Sequence, residues 1–171
     1  MSYDHAKGHE ALRRGRYSQA GAEYFLTLNT EERGAGLYDA KVAGAILAEA
    51  TAMSDDGTWI LRSAVVMPDH VHCLTVLGDR LPLGKVLQRL KAKTSSALRT
   101  QDVAWERDFY DRRLRPNDDR MAVFHYIYLN PYRAGLISRT ERWPYYHCSE
   151  EDWTWFSEQL DQERPAPEWL R

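Results

Sequence analysis

The chain has 171 residues, 43% hydrophobic and 28% charged, with a formal net charge of −2 and two cysteines. That length fits one domain with a sizeable core, and the composition is that of an ordinary globular protein. No run approaches 18 consecutive apolar residues and no apolar segment follows the N-terminal charges, so neither a membrane span nor a signal peptide is expected. Cys73 and Cys148 show no framework spacing, which excludes a disulfide scaffold and points to a reduced, cytoplasmic setting.

Residues 1–16 are polar, carry His5 and His9, and end in the basic cluster Arg13-Arg14-Gly15-Arg16. They read as a mobile arm. Tyr24-Phe25-Leu26-Thr27-Leu28 reads as a first strand, and Glu31 to Gly36 as a loop. Tyr38 to Met53 is an alanine-rich helix with apolar residues at Val42, Ile46, Leu47 and Ala50. After the turn Ser54-Asp55-Asp56-Gly57, Trp59 to Met67 reads as a second strand. Pro68-Asp69 breaks it, and His70 to Leu77 reads as a third, so the two form a hairpin. Leu83 to Leu98 is a helix, apolar at Leu83, Val86, Leu87, Leu90 and Leu98. Its other face carries Lys85, Arg89, Lys91, Lys93 and Arg99, with hydroxyls at Thr94, Ser95 and Ser96 that could bond phosphate oxygens. A fourth strand is expected around Asp108 to Leu114. Asn117 or Asp118 caps a third helix. That helix should end near Asn130, because Pro131 disfavours the helical region for the residue before it. Pro131 to Leu136 makes a further turn with Gly135 as its stop. Trp143 to His147 packs back on the domain. The segment after Glu150 is acidic and anchored by Trp153, Trp155 and Phe156. The order β-α-β-β-α-β followed by a helix gives an α+β, ferredoxin-like (split βαβ) antiparallel sheet of four to five strands with helices on one face.

The small net charge hides a segregation. From Arg80 to Arg115 there are ten Lys/Arg against four Asp/Glu, and from Glu150 to Arg171 seven acids against two arginines. Phosphate contacts need local rather than global positive potential, and the middle of the chain supplies it. The same run also fits an ordinary solvated helix face.

Chemistry concentrates in two stretches. In Pro68-Asp69-His70-Val71-His72-Cys73, residues two apart on a strand share a face, so His70 and His72 project together while Val71 and Cys73 point away. Two neutral imidazoles so placed suit one divalent ion; two satisfied histidines on a half-buried strand are the plainer alternative. Downstream, Tyr126 and Asn130 lie four apart on one helix face. The adjacent His125 does not share that face.

Taken together, four blocks resemble the Y1 HUH single-strand transposases (IS200-like), and more narrowly their REP-associated tyrosine transposase branch. They are Val65-Val66-Met67-Pro68-Asp69-His70-Val71-His72, then Leu87-Gln88-Arg89-Leu90-Lys91-Ala92-Lys93-Thr94, then Trp105 with Phe109-Tyr110-Asp111-Arg112-Arg113, and finally Tyr126 through Ile137. The likeness spans about Arg13 to His147, with Tyr132 departing from the smaller β-branched residue of many relatives. It implies an HUH endonuclease palm over residues 17–148, flanked by the basic arm 1–16 and an acidic C-terminal extension 149–171. It implies metal ligands at His70, His72 and Asn130, with Mg²⁺ or Mn²⁺ as the metal, and a nucleophile at Tyr126. The implied reaction is cleavage and strand transfer of single-stranded, REP-like hairpin DNA through a 5′-phosphotyrosine; the alternative is a domesticated module that binds hairpins without cutting them. Phosphate contacts are expected from Arg13, Arg14, Arg16, Arg89, Lys91, Lys93, Thr94, Arg112, Arg113 and Arg115. Trp105, Phe109 and Tyr110 are candidates to stack on unpaired bases. A monomer is favoured over a dimer, with a nucleoid-associated location in the cytoplasm and no membrane contact. Two rivals fail on the residues. A histidine-triad hydrolase needs a histidine where Leu74 stands, and a structural zinc site needs four closed ligands.

Overall fold

The protein is seen in a computed structural model, which describes residues 18–170. The basic cluster Arg13, Arg14 and Arg16, with His5 and His9, lies outside those residues. Five strands form one sheet: β1 (Glu23–Asn29), β2 (Trp59–Val66), β3 (His70–Leu77), β4 (Tyr110–Arg113) and β5 (Tyr146–Cys148). Their order is β4-β1-β3-β2-β5 and every neighbouring pair is antiparallel. The expected four strands thus stand in the split βαβ order, with β1 and β3 central. The fifth comes from the Trp143–His147 region, which was expected only to pack back. No helix among the described residues is long and apolar enough to cross a membrane.

Strand alternation divides the interior into two cores. Leu26, Leu28, Leu61, Ala64, Val66, Val71 and Cys73 point to one face, where they meet helices α1 (Ala40–Asp55) and α2 (Leu83–Arg99). α1 starts where the Asp39 carboxylate accepts from the Lys41 and Val42 amides at 3.0 and 3.2 Å, which satisfies donors that the first helical turn leaves open. α2 has no side-chain cap at Pro82; instead the Leu83 amide donates to Ser18 Oγ at 3.0 Å.

The other face is covered as well. Helices α3 (Arg120–Arg133) and α4 (Glu150–Phe156) lie against Val65, Leu74 and Tyr146 in a second core. The expectation of helices on one face therefore holds for α1 and α2 and is corrected for the rest. An antiparallel sheet can leave one face to solvent, but here Val65 and Leu74 are fully buried and need a cover. The C-terminal segment supplies part of it: Phe156 is fully buried, and Trp153, Trp155, Trp169 and Leu170 pack against the same core.

Two local expectations about α3 are corrected. Its cap is Asp119, whose carboxylate accepts from the Ala122 amide at 3.1 Å, while Asp118 is drawn to the Arg115 amide and to Arg112. The helix also runs through Pro131 to Arg133. Proline forfeits one backbone bond there, yet Pro131 and Tyr132 are buried, Tyr132 in the second core, and Tyr132 Oη donates to the Glu141 carbonyl. Packing outweighs the local preference. Gly135 is the stop, as expected: at φ +70° its amide bonds to the Tyr132 carbonyl and that of Leu136 to the Pro131 carbonyl, a Schellman closure.

A β-bulge lies between Leu61 and Ser63, and Arg62 at that point reaches β1 and α4. Its guanidinium donates to Glu23 at 2.7 Å and grips Asp152 on α4 with two nitrogens. Arg120, the first residue of α3, donates to the second oxygen of Glu23 at 3.0 Å. The sheet and the starts of both covering helices are thus tied by one charged knot. Phe156→Ala should destabilise the domain by about 3–5 kcal/mol, the usual cost of deleting a fully buried ring. The urea-unfolding midpoint measures this, and a loss below about 1 kcal/mol would mean that the C-terminal segment is not part of the core.

Candidate functional site

The register of the central strands builds the site. Thr27 on β1 stands directly opposite His72, and Asn29 opposite His70. Directly paired residues share a face, so one row crosses the sheet: Tyr110, Thr27, His72, Val65 and Tyr146. α3 lies over the second-core end of that row. His72 is 6% exposed and Tyr126 is 45% exposed. The imidazole rings of His70 and His72 are 4.6 Å apart, and the Tyr126 ring is 5.2 Å from that of His72. Tyr126 Oη stands 3.5 Å from His72 Nε2, at the outer limit of a hydrogen bond. Phe25 forms the wall, stacked on His72 at 5.3 Å and edge-on to Tyr126 at 5.7 Å.

Each histidine uses its Nδ1 for the protein. His72 Nδ1 is 2.9 Å from Thr27 Oγ1, and His70 Nδ1 is 2.6 Å from Asp69 Oδ1. At His70 the carboxylate partner requires the proton on Nδ1 and leaves Nε2 with its lone pair, the arrangement that metal-ligating histidines adopt, while the Thr27 hydroxyl can donate to His72 Nδ1 or accept from it. Burial, helped by His70 and Arg33, pushes the pKa of His72 down to about 3; the backbone bond to Leu26 offsets only part of this. The ring is thus held neutral, as a ligand must be. No group of three or more His, Cys, Asp or Glu among the described residues could hold a metal. A third donor to an ion on the histidine pair would therefore come from another residue type. Asn130 sits one turn beyond Tyr126 on the same helix, half-buried, with no hydrogen bond on its carboxamide among the described residues.

Residues outside the expected set complete the site. Arg33 and Glu32 both adopt left-handed backbone, at φ 57° and 51°, a conformation costing of order 1–3 kcal/mol that persists only when surroundings impose it. Arg33 Nε donates to Asp69 Oδ2 at 2.7 Å and Nη1 to Asn29 Oδ1 at 2.8 Å, while Nη2 lies 3.4 Å from His70 Nδ1. Burial alone would raise the Asp69 carboxyl, but the bonds from His70 and Arg33 outweigh it and hold the group below its usual range.

The expected phosphate contacts are distributed unevenly. Thr94 is corrected: it is buried, its hydroxyl donates to the Leu90 carbonyl and accepts from Trp105 Nε1 at 2.9 Å, so no phosphate reaches it. Arg89 is engaged by Asp56 at 2.7 Å and Thr58. Lys91 donates to the Glu106 and Asp108 carbonyls at 2.8 and 2.9 Å. Lys93, Arg113 and Arg115 are exposed. Arg112 is exposed on the histidine face, opposite Phe25, and paired with Asp118 at 3.3 Å. Of the three aromatic candidates, Trp105 is core and Phe109 packs against the first core, whereas Tyr110 is 56% exposed on the histidine face. His125 turns away from the site, with its ring 4.3 Å from Trp169.

Known proteins bear on this arrangement. The family model described as "Transposase IS200 like" matches residues 19–114. The chain belongs to the IS200-like transposase family. The matched stretch contains both histidines and ends before Tyr126. The REP-associated tyrosine transposase of Escherichia coli (strain K12) is 26% identical over 135 residues, spanning 76% of this chain and 78% of that one. A REP-associated tyrosine transposase solved bound to a REP hairpin has the same fold: TM-score 0.62 and 23% identity, over 85% of this chain and 82% of that one. Within this transposase family fold, the histidine hairpin and α3 meet inside one chain.

The neutral His72 has a consequence for stability. An unfolded histidine titrates near 6.5, while the folded ring resists protonation to about pH 3. Between those values the unfolded chain binds the extra proton, so stability rises with pH; it is fully present above 6.5 and lost as pH falls through the window. In metal-free protein the urea midpoint should drop between pH 7 and pH 4, and less so in His72→Leu. Equal slopes for the two proteins would contradict a buried neutral ring.

Proposed function

We propose that this transposase-family chain is a metal-dependent single-stranded DNA endonuclease and strand transferase that acts on REP-like hairpin DNA, with Tyr126 as nucleophile toward a site in its own chain. The observation that carries this is the approach of the Tyr126 hydroxyl to the Nε2 edge of His72. The donor set fits a divalent ion: His70 and His72 would hold it through Nε2, and Asn130 would offer an amide oxygen. Mixed nitrogen and oxygen donors suit Mn²⁺ or Mg²⁺. When bound, such an ion supplies positive charge that polarises a non-bridging phosphate oxygen.

The protein's own residues do the remaining work. Tyr126 Oη attacks phosphorus, an O–P bond forms, and the bond from phosphorus to the 3′ oxygen breaks. The products are a 5′-phosphotyrosine and a free 3′-hydroxyl. Because the covalent bond keeps the phosphodiester energy, attack by another 3′-hydroxyl reverses the step and joins strands without a nucleotide cofactor. Phe25 and the helix beneath Tyr126 hold the phenol in place, which lowers the cost of orientation. Tyr110, exposed on the same face beyond Thr27, offers a ring for an unpaired base, and Arg112 offers charge for the backbone. The hairpin substrate is inferred from the relatives, one named for REP association and one solved with a REP hairpin.

With a REP-like hairpin carrying a single-stranded flank and Mn²⁺, wild-type protein should form a covalent adduct visible on denaturing gels, and Tyr126→Phe should form none. His70→Ala and His72→Ala should abolish cleavage and keep hairpin affinity within a few-fold. If wild type binds the hairpin tightly yet never cleaves with any divalent metal, the protein is a non-catalytic binding module. Tyr110→Ala should weaken binding of the single-stranded flank by about 1–3 kcal/mol, the usual worth of one stacked base; unchanged affinity would remove Tyr110 from the DNA path.

A further inference from the structure

The loop from Thr30 to Leu37 is laced to the turn that precedes the histidines. The Thr30 amide and hydroxyl both donate to the Asp69 carbonyl at 3.0 Å, and the Gly36 and Leu37 amides donate to the Pro68 carbonyl at 2.8 and 2.9 Å. The loop also packs tightly elsewhere: a Cβ at Gly36 would lie 3.0 Å from Gln101 Cβ and 3.1 Å from Val103. Arg33 therefore projects from a fixed frame, and its left-handed backbone aims the guanidinium back over Asp69, Asn29 and His70.

We propose that Arg33 is a positioning residue that sets the ligating edge of His70 by holding the Asp69 carboxylate in place. The reading rests on His70 being a metal ligand. A carboxylate only accepts hydrogen bonds, so the 2.6 Å contact from Asp69 Oδ1 requires the proton on His70 Nδ1. That tautomer leaves the Nε2 lone pair for the ion. Asp69 Oδ1 keeps this aim because Oδ2 is gripped by Arg33 Nε, and Arg33 is itself braced by Asn29, the residue opposite His70 in the ladder. Asn29 is held in turn by its amide, which donates to Glu106 Oε2 at 3.3 Å. Arg33 has a second effect on the same group. An unpaired carboxylate beside the histidines would repel an incoming phosphodiester; paired with Arg33 it does not.

The test measures Mn²⁺ affinity without DNA, His70 tautomer from long-range ¹⁵N–¹H spectra of metal-free protein, and the Mn²⁺ dependence of cleavage. Outer partners of metal-bound histidines are worth roughly 10–100-fold in affinity. Asp69→Asn should weaken Mn²⁺ binding by about that range, and Arg33→Ala by the lower end of it. The double variant should be no worse than Asp69→Asn alone, because one residue acts through the other. Wild type should show His70 protonated at Nδ1, and both single variants should show a mixture of tautomers. Raising Mn²⁺ should return the Arg33→Ala cleavage rate toward that of wild type, and Arg33→Lys, which cannot fork, should fall between the two. Arg33→Ala with unchanged Mn²⁺ affinity and tautomer but weakened DNA binding would make Arg33 a phosphate contact and overturn the proposal. A wild type that binds no Mn²⁺ overturns the metal reading itself, a result distinct from variants that bind as well as wild type.

Discussion

The contact between the Tyr126 phenol and the His72 imidazole depends on one constraint: α3 must lie across a sheet face that its topology leaves uncovered. The two crossover helices of the split βαβ unit occupy the opposite face and form their own core. Those two helices lie on the far side of the sheet from α3. The second core holds α3, through Phe124, Ile127, Tyr128 and Leu129 on the helix and Val65 and Leu74 on the sheet. The C-terminal segment closes it from outside, with Tyr128 Oη donating to the Glu163 carbonyl at 3.0 Å and Arg133 to the Trp169 carbonyl at 3.2 Å. The acidic extension thus packs behind α3 in the second core.

Charge sharpens what apolar packing makes possible. Hydrophobic burial is non-directional and would tolerate α3 sliding along the sheet. The knot of Arg62, Glu23, Asp152 and Arg120 does not. Arg62 is largely withdrawn from water, and Asp152 more so, so losing one partner would strand the other at a cost of several kcal/mol. For Asp152, burial alone would raise the carboxyl; bonds from Arg62 and Ser149 outweigh it and keep the group ionised below its usual range. One end of α3 is therefore pinned by charge and the other closed by Gly135, with Tyr126 midway between.

Much of this was legible in the chain. Alternation placed His70 and His72 on one face because a strand has a period of two, whatever surrounds it. The helix spacing of Tyr126 and Asn130 was equally local. What stayed hidden was non-local. The register that sets Thr27 against His72 and Asn29 against His70 is decided by pairing between strands far apart in sequence, and β1 alone does not announce it. Arg33 read as one charged residue in a loop, because its left-handed backbone is imposed by the Pro68-Asp69 turn. Pro131 misled in the opposite sense: its local preference is real, but burial of Tyr132 overrides it. Thr94 looked like a hydroxyl on a basic face, yet its helical position turns it under Trp105. The likeness to transposases supplied the joint meaning of His70, His72 and Tyr126, which spacing alone left open.

The central claim is that the phenol and the histidine pair that serve one cleavage event belong to one chain. Mixing two inactive variants tests it directly: Tyr126→Phe, which keeps the histidines, and a His70→Ala/His72→Ala double variant, which keeps the phenol. If each chain serves itself, no mixture at any ratio forms a covalent DNA adduct under conditions where wild type does. An adduct that appears on mixing, mapped to Tyr126 of the histidine-deficient chain, would show that the helix is exchanged between partners and contradict the account.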